Sequence, residues 1–534
     1  MNTFNWTAGY PSQRSPLFAR NVVSTSHPLA AQAGLRVLQA GGNAVDAAIA
    51  AAACMTVVEP CSNGLGSDAF CILWDGRQLH GLNASGPAPA AWTPSFFEGQ
   101  VMPRRGWGSV TVPGAVGGWR ALSERFGRLP FADLMQPAIE IAERGYAVPP
   151  IVQGKWAMAA ALHEITSQPG FARAFLPRGR APAIGERFCF PDAARSLRLI
   201  AETRGEAFYS GEIAAALARF ARDTGGALTE ADLAGYQPEW VTPLAQDFAG
   251  HTLHEIPPNG QGIAAQMALG LLACTQHADH HVDSPEAQHL MVEAMKLAFA
   301  DVYRFVAEPH AMAVSPAQLL DPGYLAERAR LIDPARAQVF GAGNPIKGGT
   351  IYLTAADETG MMVSFIQSNY MGFGSGLVLP GYGVSLQNRG HCFTLEPGHA
   401  NQVAPGKRPF HTIIPAFLTQ SGAPVMSFGV MGGNMQPQGH LQTLVRMLCH
   451  GQNPQAACDA PRWRFNEGLS INVERHMPAA TVEGLRARGH EIGDIHDSYQ
   501  DFGAGQFIWR LGDPAVDGYV AASDPRRDGA AVGW

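Results

Sequence analysis

The sequence predicts an α+β protein in which β-sheets are covered by helices. Apolar residues make up 46% of the 534-residue chain and charged residues only 16%. Average globular proteins have roughly 25% charged residues, so this chain has much interior and little surface. Apolar residues recur at helical spacing over most of the first 340 residues, whereas short strand-like runs between glycine clusters dominate the rest. Such a combination favours sheets packed against helices.

Composition and charge exclude several classes of protein. The formal net charge is −7, which gives no electrostatic reason to bind nucleic acid or anionic lipid. The eight cysteines form no CxxC pair and several lie among apolar residues, so they predict reduced core thiols rather than disulfides. Residues 1–20 hold no apolar run of signal-peptide length, and the longest apolar stretch, Ala47–Val58, falls short of the roughly 20 residues of a membrane span. We expect a cytoplasmic protein without a membrane partner.

The N-terminal elements follow from apolar spacing and capping residues. Apolar positions from Leu29 to Leu38 predict a helix that ends at Gly41-Gly42, and Asn43 is a suitable N-cap for a second helix, Ala44–Val57. That second helix is apolar on every side, which indicates a central buried position. Further elements are expected where the apolar spacing fits: a buried strand at Ala69–Trp74 and amphipathic helices at 134–144 and 285–305.

The composition changes near Val339. The segment Phe340–Gly349 contains four glycines and is predicted to be a solvent-facing linker. The runs Ile351–Ala355 and Met361–Ile366 flank an Asp-Glu-Thr-Gly turn and predict a hairpin. Further strand-like runs follow at 383–386, 413–418 and 425–430.

Thr350, directly after the glycine linker, is the first candidate for chemistry. Most simply, it is a β-branched residue at the start of a strand. If the preceding peptide bond were cut, however, its hydroxyl would share one residue with a new α-amine of pKa about 7.7–8.0. That amine could deprotonate the hydroxyl without a histidine. Gly349 permits the backbone strain that attack on the preceding carbonyl requires.

Other polar segments have two interpretations each. Gly432-Gly433, after the run at 425–430, is either a plain turn or a pair of N–H donors that form an oxyanion hole. The segment Pro405–Thr412, with two cations and an imidazole, either binds an anionic substrate or is a solvated loop. The loop at 372–376 lacks the Gly-Lys-Ser/Thr ending of a phosphate loop. His277–Asp283, which is dense in metal-type ligands, is interpreted as a surface loop. No metal and no cofactor are predicted.

Taken in chain order, these segments resemble the γ-glutamyltransferase family of N-terminal-nucleophile hydrolases. The opening signature runs from Ser26-His27-Pro28 to Asn43-Ala44-Val45-Asp46. Matching blocks continue over roughly residues 20–465: Val58-Glu59-Pro60, Gly64-Leu65-Gly66, Asp68, Val112-Pro113-Gly114, Gly118-Trp119, Phe208-Tyr209-Ser210-Gly211, Lys407-Arg408-Pro409, Gly432-Gly433 and Asp459-Ala460-Pro461-Arg462.

The resemblance implies a four-layer αββα sandwich and a precursor that cuts itself between Gly349 and Thr350. The products would be a large chain, 1–349, and a small chain, 350–534, which together form one body. Thr350 would be the nucleophile and its α-amine the base, while Gly432 and Gly433 would supply the oxyanion hole. Ser368 stands where the family has a second threonine that hydrogen-bonds to the nucleophile.

Departures from the family pattern concern the substrate. Ser85 stands where γ-glutamyl enzymes have an arginine for the glutamyl α-carboxylate, and Cys392 stands where they have an aspartate for the α-amine. A cation, Arg389, has appeared beside Asn388. Without the amine-binding carboxylate, the ammonium of a glutamyl group would be left unpaired, which disfavours that substrate.

We therefore expect a self-processing amidohydrolase that forms an acyl-enzyme on Thr350 and acts on a small amide with a carboxylate and no α-amine, of the oxamate or glutaryl type. The expected substrate-binding residues are Arg389, Arg408, His411, Thr412, Ser85 and Asn388; His411 and Thr412 stand where the family has two serines that hold the substrate carboxylate. A γ-glutamyl hydrolase or transferase with substitute groups, and an unprocessed binding scaffold, are the alternatives. The sequence does not decide between hydrolysis and acyl transfer to another acceptor, nor does it decide whether copies of the chain form a homo-oligomer.

Overall fold

The computed structural model describes residues 14–340, 349–493 and 502–534. It confirms the four-layer αββα sandwich: two antiparallel seven-stranded sheets pack face to face, with helices on both outer faces. Most of the linker predicted at Phe340–Gly349 lies outside the described residues.

The first sheet carries Thr350 near the start of a central strand. In spatial order its strands are β21 (Ala530–Gly533), β2 (Val22–Thr25), β10 (Gly349–Ala356), β11 (Met362–Tyr370), β3 (Asp68–Trp74), β4 (Leu79–Ala84) and β7 (Glu239–Val241). The predicted hairpin is confirmed, since β10 and β11 pair with Leu353 opposite Phe365. On the other side of β11, Ser368 lies opposite Asp68.

The second sheet lies against the first. In spatial order its strands are β1 (Leu17–Ala19), β20 (Tyr519–Ser523), β19 (Ala504–Arg510), β15 (Ala423–Met431), β14 (Ala416–Gln420), β9 (His251–Glu255) and β8 (Leu244–Phe248). Shorter strands outside the two sheets are β5 (Tyr146–Ala147), β6 (Arg187–Phe188), β12 (Val378–Leu379), β13 (Val384–Ser385), β16 (Trp463–Glu467), β17 (Ser470–Val473) and β18 (Glu491–Gly493). Both sheets thus draw strands from before and after the linker, whereas the sequence placed most strands after it.

Helices cover the outer faces in two groups. Residues of α1–α11 pack on the first sheet and residues of α12–α18 on the second. The helices are α1 (Pro28–Gln39), α2 (Ala44–Val58), α3 (Ala115–Phe126), α4 (Phe131–Arg144), α5 (Pro150–Ala160), α6 (His163–Thr166), α7 (Phe171–Phe175), α8 (Pro191–Glu202), α9 (Glu206–Tyr209), α10 (Glu212–Asp223), α11 (Glu230–Ala234), α12 (Ile263–Ala273), α13 (Pro285–Phe305), α14 (Pro316–Leu319), α15 (Pro322–Ala329), α16 (Met435–Leu444), α17 (Pro454–Asp459) and α18 (Ala479–Ala487).

The predicted central helix α2 is buried along its whole length. The side chain of Asn43 accepts the N–H of Asp46, and the Asp46 carboxylate accepts the N–H of Asn43, both at 3.0 Å. This reciprocal cap satisfies two of the N–H groups that the first helical turn leaves without partners. Among the described helices none combines the length and the apolar character that a bilayer crossing needs.

The two sheets approach each other closely where Tyr352 of β10 lies over Gly429 of β15. A Cβ atom on Gly429 would lie 2.5 Å from the Tyr352 ring. Two residues along, Thr354 Oγ1 and Ser427 Oγ are 2.6 Å apart. In these two pairs the residue number rises along β10 as it falls along β15. Two residues before Tyr352 on β10, Thr350 is therefore expected to lie at the level of Met431, the last residue of β15. The nucleophile candidate therefore lies close to the strand end that leads into the predicted oxyanion turn.

Two helical glycines provide a test of how tightly α16 packs. A Cβ on Gly439 would lie 2.5 Å from Val430 Cγ1, whereas at Gly154 in α5 it would meet no described atom within 4 Å beyond its own helical turn. We expect Gly439→Ala to lower the free energy of unfolding by about 1–3 kcal/mol through overpacking. Gly154→Ala should leave it unchanged or raise it by up to about 1 kcal/mol, because alanine is the better helix former. Urea denaturation measures both, and equal effects would contradict the close helix–strand contact.

Candidate active site

Thr350 is fully buried, and its hydroxyl has two hydrogen-bond partners. Thr350 Oγ1 lies 3.3 Å from Ser368 Oγ on β11, and Gln436 Nε2 donates to the same oxygen at 3.4 Å. The N–H of Tyr370 donates to Ser368 Oγ at 2.8 Å, which fixes that hydroxyl. The structure thus brings together the predicted pair Thr350 and Ser368, and it adds Gln436, which the sequence did not predict.

Gly432 and Gly433 form the turn between β15 and α16. Their φ angles, +124° and +61°, lie in the region that favours glycine. Gln261 Nε2 donates to the carbonyl of Gly433 at 2.9 Å and holds the turn in place. Neither glycine N–H donates a hydrogen bond to any described residue. The turn therefore leaves two N–H groups available beside the positive N-terminal end of α16, which is the arrangement that an oxyanion hole requires.

A cavity of about 140 Å³ opens beside these residues. Its lining residues are mostly aromatic, apolar or neutral polar: Tyr303, Val306, Tyr370, Cys392, His399, Asn401, Phe410, Thr412 and Asn434. Tyr370 connects the cavity to Ser368, and Asn434 follows the glycine turn directly. No carboxylate is among the described residues that line it.

Arg389 lies behind the wall of this cavity and is fully buried. Its Nη1 donates to Thr412 Oγ1 at 2.6 Å, and its guanidinium stacks 4.6 Å from the centre of the Tyr370 ring. Burial lowers the pKa of Arg389, while the nearby Cys392 and Asp68 act in the opposite direction. Arginine nevertheless stays protonated in proteins. Its Nε and Nη2 groups make no hydrogen bond to an oxygen or nitrogen of the described residues. This buried cation therefore has hydrogen-bond donors without such partners next to the cavity.

Asp68 and His411 form a buried pair next to Arg389. His411 Nε2 donates to Asp68 Oδ2 at 3.1 Å, and His411 Nδ1 accepts the N–H of Ile413 at 3.4 Å, an arrangement that assigns a neutral imidazole. Burial, and secondly Arg389, hold the pKa of His411 well below its usual range. Burial raises the pKa of Asp68 to about 7, although Arg389 and the N–H of Gly114 work against that shift.

Of the six residues expected at the substrate, Thr412 lines the cavity and the other five, Arg389, His411, Ser85, Arg408 and Asn388, do not. Ser85 Oγ donates to Asn83 Oδ1 at 2.7 Å, and Arg408 forms an ion pair with Glu239 at 2.6 Å. Asn388 donates to the carbonyl of Arg104 at 2.8 Å and is also bonded to the backbone of the β11 end. Their side chains are thus engaged in holding the surrounding loops. A role for them at the substrate stays a prediction, whereas Thr412 and Cys392 line the cavity directly.

Metal-type ligands come together away from this site. His289, Glu293 and His490 are buried with their ligand atoms within 4.8 Å of one another. Lys296 Nζ lies 2.6 Å from Glu293 Oε1, so an ammonium already compensates this carboxylate. The His277–Asp283 segment connects α12 to α13, with His277 itself buried against the carbonyl of Leu272.

Comparison with known proteins shows the family to which the chain belongs and agrees with its fold. The gamma-glutamyltranspeptidase family model covers residues 30–534. The chain belongs to this family. It is 34% identical to the glutathione hydrolase-like YwrD proenzyme of Bacillus subtilis (97% of this chain, 99% of the relative) and 36% identical to the oxamate amidohydrolase proenzyme of Klebsiella pneumoniae (95% and 97%). The crystal structure of a cephalosporin acylase from Bacillus halodurans superposes with a TM-score of 0.94 at 46% identity and covers 100% of this chain and 99% of that one.

Membership in this family confirms the resemblance that the sequence shows over its length. The chain is an enzyme of the gamma-glutamyltranspeptidase family, with the fold of N-terminal-nucleophile hydrolases, and it acts on amide bonds. The two curated relatives carry the word proenzyme in their names.

The raised pKa of Asp68 predicts a specific pH dependence of stability. The folded-state pKa is about 7 and the unfolded one about 3.9. Between these values the unfolded chain has lost a proton that the folded protein keeps, so a rising pH favours unfolding by at most about 1.4 kcal/mol per pH unit. Asp68→Asn has no such proton to lose.

We therefore expect the free energy of unfolding of the Asp68 protein, minus that of Asp68→Asn, to fall between pH 5 and 7 and to level off above pH 8. Urea denaturation in a Thr350→Ala background measures it, since the expected cleavage at Gly349-Thr350 is then absent. A difference that grows with pH would mean that Asp68 is ionised and stabilising.

Proposed function

We propose that the protein is a self-processing amidohydrolase that uses Thr350 as its nucleophile and acts on an amide whose acyl group carries a carboxylate and no α-amine. One observation carries the proposal: the buried hydroxyl of Thr350 is bonded to Ser368 and to Gln436, and the backbone N–H of Gln436 is bonded to the carbonyl of Gly433, in the turn with two available N–H groups. This arrangement supports a nucleophile beside donors that would stabilise its tetrahedral intermediate.

Self-cleavage needs only the chain and water. Thr350 Oγ1 attacks the carbonyl carbon of Gly349, the Gly349–Thr350 C–N bond breaks, and the hydroxyl proton ends on the new α-amine. Water then hydrolyses the ester that joins Gly349 to Oγ1, which gives a carboxylate on Gly349 and a free amine on Thr350. The chains 1–349 and 350–534 would result. The proenzyme names of the two relatives support this step.

Turnover repeats the same chemistry on a substrate. The α-amine of Thr350, with a pKa of about 7.7–8.0 in ordinary peptides, takes the hydroxyl proton as Oγ1 attacks the amide carbonyl. The N–H groups of Gly432 and Gly433 hold the oxyanion, where the loss of one donor typically costs about 2.7–4 kcal/mol. The leaving amine takes the proton, and water hydrolyses the acyl-enzyme.

The charges near the cavity support the substrate class. The Nε and Nη2 nitrogens of Arg389 have no oxygen or nitrogen partner among the described residues, which suits a carboxylate, while Cys392 supplies no charge for an ammonium. A charge-assisted hydrogen bond is worth about 1.5–3 kcal/mol. The 140 Å³ cavity is close to the roughly 150 Å³ that accommodates benzene. That size favours a glutaryl-like acyl group over the smaller oxamyl group. One relative is named for oxamate and the solved neighbour for cephalosporin.

Replacement of Thr350 tests self-cleavage. Thr350→Ala should give one band on a denaturing gel where the wild type gives two, because the attacking oxygen is gone. Thr350→Ser keeps a hydroxyl and should be cut more slowly. Intact wild-type protein with full hydrolytic activity would rule out this mechanism.

Replacement of Arg389 tests the substrate class. Arg389→Met keeps apolar bulk over Tyr370 but removes the charge. We expect it to raise KM for glutaryl-anilide by roughly 10- to 150-fold, which corresponds to about 1.5–3 kcal/mol. KM for the uncharged valeryl-anilide should change little, because that acyl chain makes no ion pair.

Arg408→Met is the matched control, since Arg408 is paired with Glu239 outside the cavity wall. If Arg408 stays paired with Glu239, the substitution should affect the two anilides equally, whereas a selective rise of KM for glutaryl-anilide would assign the carboxylate to Arg408. Efficient turnover of γ-glutamyl-anilide by the wild type, without hydrolysis of glutaryl-anilide or oxamate, would favour the γ-glutamyl alternative.

A further inference from the structure

We infer that Gln436 is a catalytic residue that donates a hydrogen bond to the nucleophilic oxygen, both in self-cleavage and in turnover. This inference rests on the proposed role of Thr350 as the nucleophile. Gln436 belongs to α16 and is fully buried. It contacts the reacting atom itself, since its Nε2 lies 3.4 Å from Thr350 Oγ1.

The orientation of the Gln436 amide is fixed by a second contact. Its Oε1 accepts the N–H of Ile414 at 2.8 Å. Because the oxygen side is occupied by a backbone donor, the NH₂ group is the side that faces Thr350. An amide nitrogen can only donate. Gln436 therefore leaves the hydroxyl hydrogen of Thr350 free to point elsewhere, towards Ser368 or towards the base.

The backbone of Gln436 ties this contact to the oxyanion turn. Its N–H donates to the carbonyl of Gly433 at 3.2 Å, and the side chain reaches from there to Thr350. One residue thus spans the distance between the nucleophile and the glycine donors. The position of Nε2 relative to Oγ1 follows from the same backbone geometry that sets the glycine N–H groups.

A fixed donor at Oγ1 has a defined chemical effect. Oγ1 gains negative charge when its proton leaves for the base, and again when it departs from the acyl carbon during hydrolysis of the ester. A donor already in place stabilises that charge without reorganisation. The resting distance of 3.4 Å is long, but catalytic hydrogen bonds often tighten only as charge develops.

The substitution Gln436→Glu removes the hydrogen-bond donor towards Thr350 while it keeps the size of the side chain nearly unchanged. The carboxylate can still accept the N–H of Ile414, but the donor towards Thr350 becomes an acceptor. At pH 8 we expect self-cleavage to slow at least tenfold, and kcat of the processed enzyme to fall at least tenfold with KM within threefold of wild type. A protonated glutamate regains an O–H donor, and burial raises the pKa of a carboxyl group. The cleavage rate of this variant relative to wild type should therefore recover as the pH falls from 8 to 5.

Gln442→Glu is the matched control on the same helix. Gln442 is equally buried, and its Oε1 also accepts a backbone N–H, that of Trp463 at 3.1 Å. Its Nε2 donates to backbone carbonyls only, at 3.0 Å. This variant should lose stability, yet cleave with a wild-type pH profile and a kcat within twofold of wild type. Gln436→Met, which removes both side-chain hydrogen bonds, should cleave slowly at every pH.

The outcomes distinguish this inference from the proposed function. Wild-type cleavage and turnover in folded Gln436→Glu or Gln436→Met would overturn the role of Gln436, and so would slow cleavage of Gln436→Glu without recovery at low pH. If Gln436→Glu does not fold, as judged by circular dichroism, the rates of Gln436→Met decide. Cleavage of Thr350→Ala at the wild-type rate would instead overturn Thr350 as the nucleophile.

Discussion

The close contact of the two sheets at Tyr352 and Gly429 determines where the rest of the site can lie. Any side chain on Gly429 would meet the Tyr352 ring at 2.5 Å and push β15 outwards. The glycine turn and α16, with Gln436, would move away from Thr350 with it. Buried hydroxyls reinforce the register, since Ser364 Oγ donates to the carbonyl of Phe428 at 3.1 Å. Such groups are stable in a dry interior only when paired, so slippage of one sheet on the other would leave them unsatisfied.

The sequence predicts those parts of the molecule that depend on neighbouring residues. Asn43, as a predicted N-cap, marks the start of α2, and the turn at 357–360 marks the hairpin between β10 and β11. Strand β9, His251–Glu255, was missed because its residues are mostly polar, although one partner, β8, directly precedes it and only the other, β14, lies far along the chain. Family resemblance, rather than local pattern, distinguishes Thr350 from an ordinary strand threonine.

Several contacts of the site join residues that are far apart along the chain. Gln436 and Thr350 are 86 positions apart, and Asp68 and His411 are 343 apart. An amide or a lone aspartate has no characteristic spacing. One signal was present nonetheless: Gln436, Gln438 and Gln442 are three amides within the short helix α16, which is buried throughout. Buried amides need specific partners, and in Gln436 one of these partners is the candidate nucleophile.

The buried cation next to the cavity is not one of the two in the segment Pro405–Thr412, where the sequence suggested an anion site. Arg408 is paired at the periphery with Glu239, while Arg389 is buried behind a neutral wall with donors to spare. Its neighbour His411 is held neutral, so no second cation competes for an anion there. Selectivity for an acyl carboxylate would then arise from one desolvated guanidinium rather than from a cluster of surface cations.

Each sheet contains strands from both sides of the Gly349–Thr350 bond: β10 pairs with β2, and β15 and β9 both flank β14. A cut at that bond would leave two polypeptides interleaved in one core, unable to separate without disrupting both sheets. Unfolding of the cut molecule would then also be dissociation, and reassembly would be a second-order process that depends on concentration. The uncut chain can fold alone, whereas the cut one would persist chiefly because it unfolds slowly. After cleavage, slow unfolding rather than reversible folding would thus keep the molecule in its folded state.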